Sequence, residues 1–142
     1  EPLSQTHIEA MYASLDDLHA KSLAGGAQAF VLVTVPCRDV TGAGFTPEER
    51  PKVLRYLAEH PDEQATMSDP RRLNVKLVEW ADARDVPVLD LYTAMGCQNG
   101  FRPERNGLRL YKDEIHFSIP GAAMVWSWLA PEVRRIVIEG DS

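Results

Sequence analysis

The chain has 142 residues, the length of a single domain, and 44% of them are hydrophobic, which is enough for an ordinary buried core. Its formal net charge of −6 argues against nucleic acid or an anionic membrane surface as a partner, since both are bound through basic patches. No apolar run approaches the ~20 residues of a membrane span. We therefore expect one domain, residues 1–142, with neither a nucleic-acid partner nor a membrane span.

The first third of the chain predicts a helix followed by a buried strand. A capping box at Thr6 and Glu9 starts the helix, and Gly25-Gly26 ends it. The unbroken apolar run Phe30–Val35, stopped by Pro36, is typical of a strand that is buried on both faces, as in parallel sheets. The helix buries apolar residues at helical spacing: Ile8, Met11, Leu15 and Leu18.

Two further helices and a second strand follow. Residues 46–49 predict a helix start whose first turn Pro51 breaks, and Asp69-Pro70 opens a third helix. Val86–Leu91 is a second buried strand, and an irregular polar stretch runs from 96 to 107. The apolar side of the third helix carries Leu73, Leu77, Trp80 and Ala81. This order predicts an α/β fold in which the two strands are adjacent and parallel.

The chemistry of the chain is concentrated just before the last helix, which we expect to begin at Pro120 and to be bent or restarted at Pro131. Asp113 precedes His116 by three residues. On a turn, the carboxylate can accept a hydrogen bond from one ring nitrogen, fix the tautomer and stabilise the imidazolium. The other ring nitrogen can then take a proton from a hydroxyl nucleophile. The spacing therefore predicts a general base and its orienting acid.

This block resembles the last catalytic block of the SGNH/GDSL hydrolase family. There, Asp-x-x-His is followed by an apolar residue, a Ser or Thr, and a Gly that opens the final helix; the matching residues are Asp113, His116, Phe117, Ser118 and Gly121. Earlier elements fit in order, namely a strand ending in Val35-Pro36, a helix with Asn74 and Trp80-Ala81, and a strand ending in Leu89-Asp90-Leu91. The resemblance extends over most of the chain.

The resemblance implies a three-layer parallel sheet with helices on both faces. It also implies acyl-ester chemistry, either a serine esterase or an acyltransferase that moves an acetyl group on a carbohydrate. The substrate would be a small-molecule or carbohydrate acyl ester, His116 would act as base and then acid, and no cofactor is needed.

The family's nucleophile block, Gly-Asp-Ser, is not found ahead of Phe30, and neither are the blocks that supply oxyanion donors. Instead the chain ends in Gly140-Asp141-Ser142, after the β-branched run Ile136–Ile138. Ser142 is the positional candidate for the nucleophile. The tail is a coincidence that ends the last helix, or the first strand of a permuted chain, or the start of a segment whose continuation is absent.

Two buried parallel strands do not make a stable sheet alone, and an open apolar edge invites pairing with another chain. Residues 107–111 and the tail are candidates for further strands. We expect an incomplete or permuted domain whose edge is covered by self-association or by a missing complementary segment; the start at Glu1-Pro2, without Met, fits an excised piece. The alternative function is a catalytically incomplete SGNH-like binding or interaction module, or half of a split enzyme.

Cys37 and Cys97 each follow the carboxyl end of a predicted strand. They form either a disulfide or two reduced thiols, and a disulfide would favour a periplasmic or secreted location. Cys37 as a nucleophile for His116 is a remote alternative. No metal-ligand spacing is present.

The remaining residues have structural interpretations. We expect Asn99-Gly100 to form a turn, because that dipeptide favours turns. The histidines outside the block are predicted to be solvated, namely His7, His19 and His60. Two arginine pairs are also predicted to be solvated, Arg71-Arg72 and Arg134-Arg135. The three tryptophans are predicted to lie in the core: Trp80, Trp126 and Trp128.

Overall fold

The computed structural model describes residues 4–38, 46–61, 70–113 and 116–140. It is a mixed structure of helices and small sheets, as expected for the α/β class. A 3-10 turn spans Cys97–Asn99. The other elements, in chain order, are α1 (Gln5–Ala24), β1 (Leu32–Val33), α2 (Arg50–Glu59), α3 (Arg71–Asp82), β2 (Val88–Leu89), α4 (Leu91–Ala94), β3 (Glu104–Arg105), β4 (Leu108–Arg109) and α5 (Ile119–Gly140).

Strands β1 and β2 are adjacent and parallel, which confirms the pairing predicted from the two apolar runs. Leu32 aligns with Val88, and Val33 aligns with Leu89. The Leu32 N–H donates to the Pro87 carbonyl (2.9 Å), and the Thr34 N–H donates to the Leu89 carbonyl (3.0 Å). The ladder itself is only two residues long in each strand, shorter than the apolar runs.

Helices pack on both faces of this strand pair because successive side chains of a strand point to opposite faces. Leu32 belongs to a core with Trp80 and Ala81 of α3, against which Met11 and Leu15 of α1 pack. Its neighbour Val33 packs against a second core, which holds the disulfide cysteines and the residues just before Asp113: Cys37, Leu91, Met95, Cys97, Leu110 and Tyr111. Met124, Val125 and Trp128 of α5 cover that second core.

The cap of the first helix and the effect of Pro51 on the second differ from their predictions, whereas the second helix start at residues 46–49 is confirmed. Helix α1 is capped by Ser4 and not by Thr6, since the Ser4 hydroxyl accepts a hydrogen bond from the His7 N–H (3.3 Å). Helix α2 begins at Arg50 after a reciprocal pair of hydrogen bonds between Thr46 and Glu49. Pro51 does not break it, because a proline in the first turn removes an N–H that has no helical partner anyway.

The expected additional strands are wrong. Helix α5 continues through Pro131 to Gly140, so Ile136–Ile138 are helical and do not form a strand of a permuted sheet. Leu108–Arg109 pairs antiparallel with Glu104–Arg105 in a separate hairpin and does not extend the parallel pair. Within the described ranges the parallel sheet therefore has two strands.

Two aromatic predictions also need correction. Trp80 is buried and Trp128 is half-buried, but Trp126 is 66% exposed, because it lies on the opposite side of α5 from Trp128. His19 is half-buried and not fully solvated, since its ring lies 4.9 Å from the Phe30 ring and 5.8 Å from the Trp80 ring. None of the helices in the described part of the chain combines the length and apolarity needed to cross a bilayer.

Asn74 is the polar link between α3 and the end of β1. Its buried side chain accepts a hydrogen bond from the Val35 N–H (2.8 Å) and donates to the Val35 carbonyl (2.9 Å). These two bonds continue the ladder where β2 no longer does, so a side chain substitutes for a strand partner.

We predict that Asn74→Ala lowers the free energy of unfolding by about 2–4 kcal/mol, because it leaves a backbone donor and acceptor unpaired in a buried position. The control is Val75→Ala at the neighbouring, 54% exposed position, where a change within about 0.5 kcal/mol is expected. Urea denaturation of both variants measures the difference. Equal effects would show that the Asn74 amide does not hold the strand end.

Candidate active site

Asp113 and His116 lie on one closed turn. Tyr111 and Phe117 form an antiparallel bridge, the Lys112 N–H donates to the His116 carbonyl (2.9 Å), and the Ser118 N–H donates to the Leu110 carbonyl (2.9 Å). The segments on either side of the turn are thus paired with each other. The backbone therefore fixes where the two functional side chains begin.

The Asp113 carboxylate holds His116 with both of its oxygens. Oδ1 accepts a hydrogen bond from the His116 backbone N–H (2.6 Å), and Oδ2 lies 2.7 Å from ring Nδ1. The side chains are 32% and 62% exposed, respectively. The prediction that carboxylate and ring are in contact on one turn is confirmed.

This contact determines what the ring can do. An ionised carboxylate only accepts hydrogen bonds, so in the neutral form of the ring Nδ1 carries the proton and Nε2 has the free lone pair. No described residue forms a hydrogen bond with Nε2, and the exposed ring can be reached by a hydroxyl group. The arrangement has the geometry that a general base and its orienting carboxylate require.

The turn is anchored in the core through Tyr111. Its side chain is 1% exposed and lies between the Phe101 ring (4.8 Å) and the Phe117 ring (5.1 Å). Burial disfavours the phenolate and raises the pKa of Tyr111 to about 12. Phe117, the residue after His116, is thus packed against the core through Tyr111.

Ser118 and Gly121 seat α5 against the same segment. The Ser118 hydroxyl accepts a hydrogen bond from the Gly121 N–H (3.1 Å) and donates to the Arg109 carbonyl (2.5 Å). Gly121 is buried, and a Cβ at this position would overlap the Leu110 carbonyl. The Ser and the Gly that follow Asp-x-x-His are therefore explained by helix capping and close packing.

Arg109 is a supporting residue that sequence analysis did not identify. Its Nε donates to the Tyr111 carbonyl (2.8 Å), and its Nη2 lies 3.5 Å from the Lys112 carbonyl. The guanidinium thus binds the backbone of the two residues that directly precede Asp113. No sequence signal distinguishes this arginine from an exposed one, because its partners are backbone carbonyls.

Cys37 and Cys97 form a disulfide with a Cα–Cα distance of 5.6 Å. The reduced-thiol alternative, and with it Cys37 as a nucleophile, does not hold in this structure. Both cysteines are buried in the same core as Leu110 and Tyr111. The covalent bond therefore lies in the core on which the turn that carries His116 is anchored.

Asp90, at the carboxyl end of β2, has a structural role. Its carboxylate accepts hydrogen bonds from Thr34 Oγ1 (3.0 Å), Thr93 Oγ1 (2.6 Å) and the Thr93 N–H (3.1 Å). Burial works to raise the pKa of Asp90, but the Thr93 and Thr34 hydrogen bonds outweigh it and lower the pKa. Asp90 therefore caps α4 and joins the two strand ends.

The nucleophile is not placed by the structure. Ser142 and Asp141 lie outside the described residues, and Asn99-Gly100 forms the end of the 3-10 turn, as expected for a turn. Among the described residues there is no group of three His, Cys, Asp or Glu side chains that could hold a metal ion.

Comparison of the chain with protein-family models, with curated proteins and with solved structures gives no match.

We predict that Gly121→Ala destabilises the protein by about 2 kcal/mol or more, because the added methyl group must displace the Leu110 backbone. Gly140→Ala is the matched control in the same helix, where a Cβ meets nothing within 4 Å and no loss of stability is expected. Thermal unfolding compares the two. A Gly121→Ala protein as stable as the Gly140→Ala protein would contradict the close approach.

The raised pKa of Tyr111 predicts a loss of stability in alkali. The unfolded chain ionises at the ordinary tyrosine pKa of 10.0, whereas the folded protein keeps Tyr111 neutral up to about 12. Its contribution is fully present below pH 10 and is lost as the pH rises toward 12. Tyr111→Phe should lose less stability between pH 9.5 and 11.5 than the parent protein, and Tyr56→Phe, at a 46% exposed position, should match the parent. A common pH profile for all three would contradict burial of the Tyr111 hydroxyl.

Proposed function

We propose that this chain belongs to a serine hydrolase of SGNH type that acts on an acyl ester, as an esterase or as an acetyl transferase on a carbohydrate. The observation that carries the proposal is the contact between Asp113 Oδ2 and His116 Nδ1, at 2.7 Å, next to an exposed ring. The sequence resemblance in residues 113–121 supports it, because the turn and the helix cap give each matched residue a role in the same small unit.

In this mechanism His116 Nε2 takes the proton of a serine hydroxyl while the serine oxygen bonds to the ester carbonyl carbon. The imidazolium is stabilised by Asp113 and returns the proton to the departing alcohol oxygen as the ester C–O bond breaks. Water, or a carbohydrate hydroxyl in acetyl transfer, then gives its proton to the same base and bonds to the acyl carbon. The acyl–serine C–O bond breaks, and His116 returns the proton to the serine oxygen. Ser142 remains the sequence candidate for the nucleophile.

The mechanism requires no cofactor, since the proton transfers use protein groups alone. The Cys37–Cys97 disulfide is consistent with an oxidising compartment, and we propose a periplasmic or secreted location. The proposed substrate is a small-molecule or carbohydrate acyl ester.

The second candidate function is a module that completes its site with another polypeptide. The observation that favours it is the two-stranded parallel sheet of the described residues, which is covered by helices on both faces but is small for a parallel sheet. A second copy or a complementary segment would add strands and donate the oxyanion-stabilising groups.

We predict that the protein is labelled by a fluorophosphonate at one serine and that His116→Ala slows this labelling by about 10²-fold or more, the usual contribution of a positioned base. Asp113→Asn should also slow it, because the ring loses its orienting acceptor. His60→Ala is the control, since His60 stacks on Tyr56 in α2. Labelling at an unchanged rate in His116→Ala would show that the dyad is not the base.

We also predict that the isolated chain hydrolyses a short aryl ester at less than ~1 s⁻¹, the low end of ordinary enzymes. Each missing oxyanion donor typically costs ~10²–10³ in rate. Turnover is measured on material whose mass is determined by light scattering. A monomer that exceeds this rate would contradict the need for a second copy or a complementary segment.

A further inference from the structure

The segment that leads into the dyad turn is basic, although the chain as a whole carries a net charge of −6. Residues 101–112 contain four cationic side chains and one carboxylate, that of Glu104. All four cationic residues are exposed: Arg102, Arg105, Arg109 and Lys112. Four cations are thus concentrated on one short segment of an otherwise acidic protein, directly ahead of the Asp113 carboxylate.

The hairpin formed by β3 and β4 fixes the position of this segment. Asn106 (φ 52°) and Gly107 (φ 76°) both adopt the left-handed conformation of a two-residue hairpin turn. Arg105 reaches across to α5, where its Nη1 lies 3.7 Å from Met124 Sδ. Arg109, paired across the hairpin with Glu104, holds the backbone of the dyad turn through Tyr111 and Lys112. The hairpin is therefore attached to α5 on one side and to the turn on the other.

Three of the cationic groups lack a carboxylate partner within the described part of the chain. Within the described residues no carboxylate forms an ion pair with Arg102, Arg105 or Lys112, whereas other exposed cations, such as Lys21, Lys76 and Arg135, are paired along their helices. Lys112 directly precedes Asp113, and its N–H is bonded to the His116 carbonyl. An ammonium group is thus carried by the same turn as the base.

We propose that this basic hairpin binds an anionic group of the substrate, so that the ester acted on at His116 belongs to a carbohydrate that bears carboxylates. The inference rests on the proposed function and names its substrate class. Lys112 and Arg105 make charge-assisted hydrogen bonds to the sugar carboxylates, and these bonds orient the neighbouring ester toward the base. A neutral carbohydrate ester offers these cations only hydroxyl and carbonyl oxygens, which accept weaker hydrogen bonds than a carboxylate does.

The test compares two oligosaccharides of equal length, hexagalacturonate and maltohexaose, by calorimetric titration of the full chain. We expect the acidic oligosaccharide to bind, with an affinity that falls as salt is added, and the neutral one not to bind. Lys112→Gln and Arg105→Gln should each weaken binding about tenfold, the loss of one charge-assisted hydrogen bond. Lys112→Arg should restore it.

Arg55→Gln is the matched control, because Arg55 is exposed on α2 and its loss changes the net charge equally. Binding that weakens equally in Arg55→Gln, or that is as tight for maltohexaose, overturns the inference. Circular dichroism verifies that each variant is folded, and the salt dependence of the parent protein provides a measurement that needs no variant.

Hydrolysis separates this inference from the proposed function. His116→Ala should abolish release of acetate from acetylated hexagalacturonate while leaving binding unchanged. A parent protein that binds the acidic oligosaccharide but releases no acetate would overturn the proposed function alone. Release of acetate from acetylated maltohexaose at the same rate as from the acidic substrate would overturn the inference alone.

Discussion

The contact between Gly121 and the Leu110 backbone is the constraint on which the candidate site depends. It lets the first turn of α5 lie directly on the segment that leads to Asp113, which would be impossible for any residue with a Cβ. Ser118 then caps the helix and bonds to the Arg109 carbonyl. Helix α5, the β3–β4 hairpin and the turn that carries His116 are consequently a single packed unit. The position of His116 therefore depends on the packing of Gly121 and Ser118 against residues 109–110.

The Asp113 carboxylate performs two tasks that are usually divided between residues. One oxygen organises the backbone of the turn, and the other orients the ring. Because the backbone bond is already formed, the ring is oriented before any ligand binds, and such preorganisation is the condition under which electrostatic stabilisation is most effective. In the function that we propose, the basic hairpin extends this preorganisation to a carboxylate of the substrate.

Local features of this protein could be predicted from its sequence, and features set by docking could not. The Asp113–His116 contact is determined within four residues, and the strand pair follows from two apolar runs. Periodicity does not distinguish which side of an apolar helix meets the core, so the sequence predicts a core position for Trp126, which is exposed. The run Ile136–Ile138 favours a strand by propensity, but it continues an established helix, and context outweighs propensity. Ser142 as nucleophile stays a prediction.

The Cys37–Cys97 bond closes a ring with a sequence separation of 60 residues, and α2, α3 and β2 lie inside it. In the chain-entropy description, a ring of this size lowers the conformational entropy of the unfolded state and thereby stabilises the folded protein by about 4 kcal/mol. It also shortens the search by which β1 finds β2, a pairing between residues far apart in the chain that is intrinsically slow to form. Once the bond has formed, β1 and β2 stay close together even in the unfolded chain, whereas the turn that carries His116 lies outside the ring.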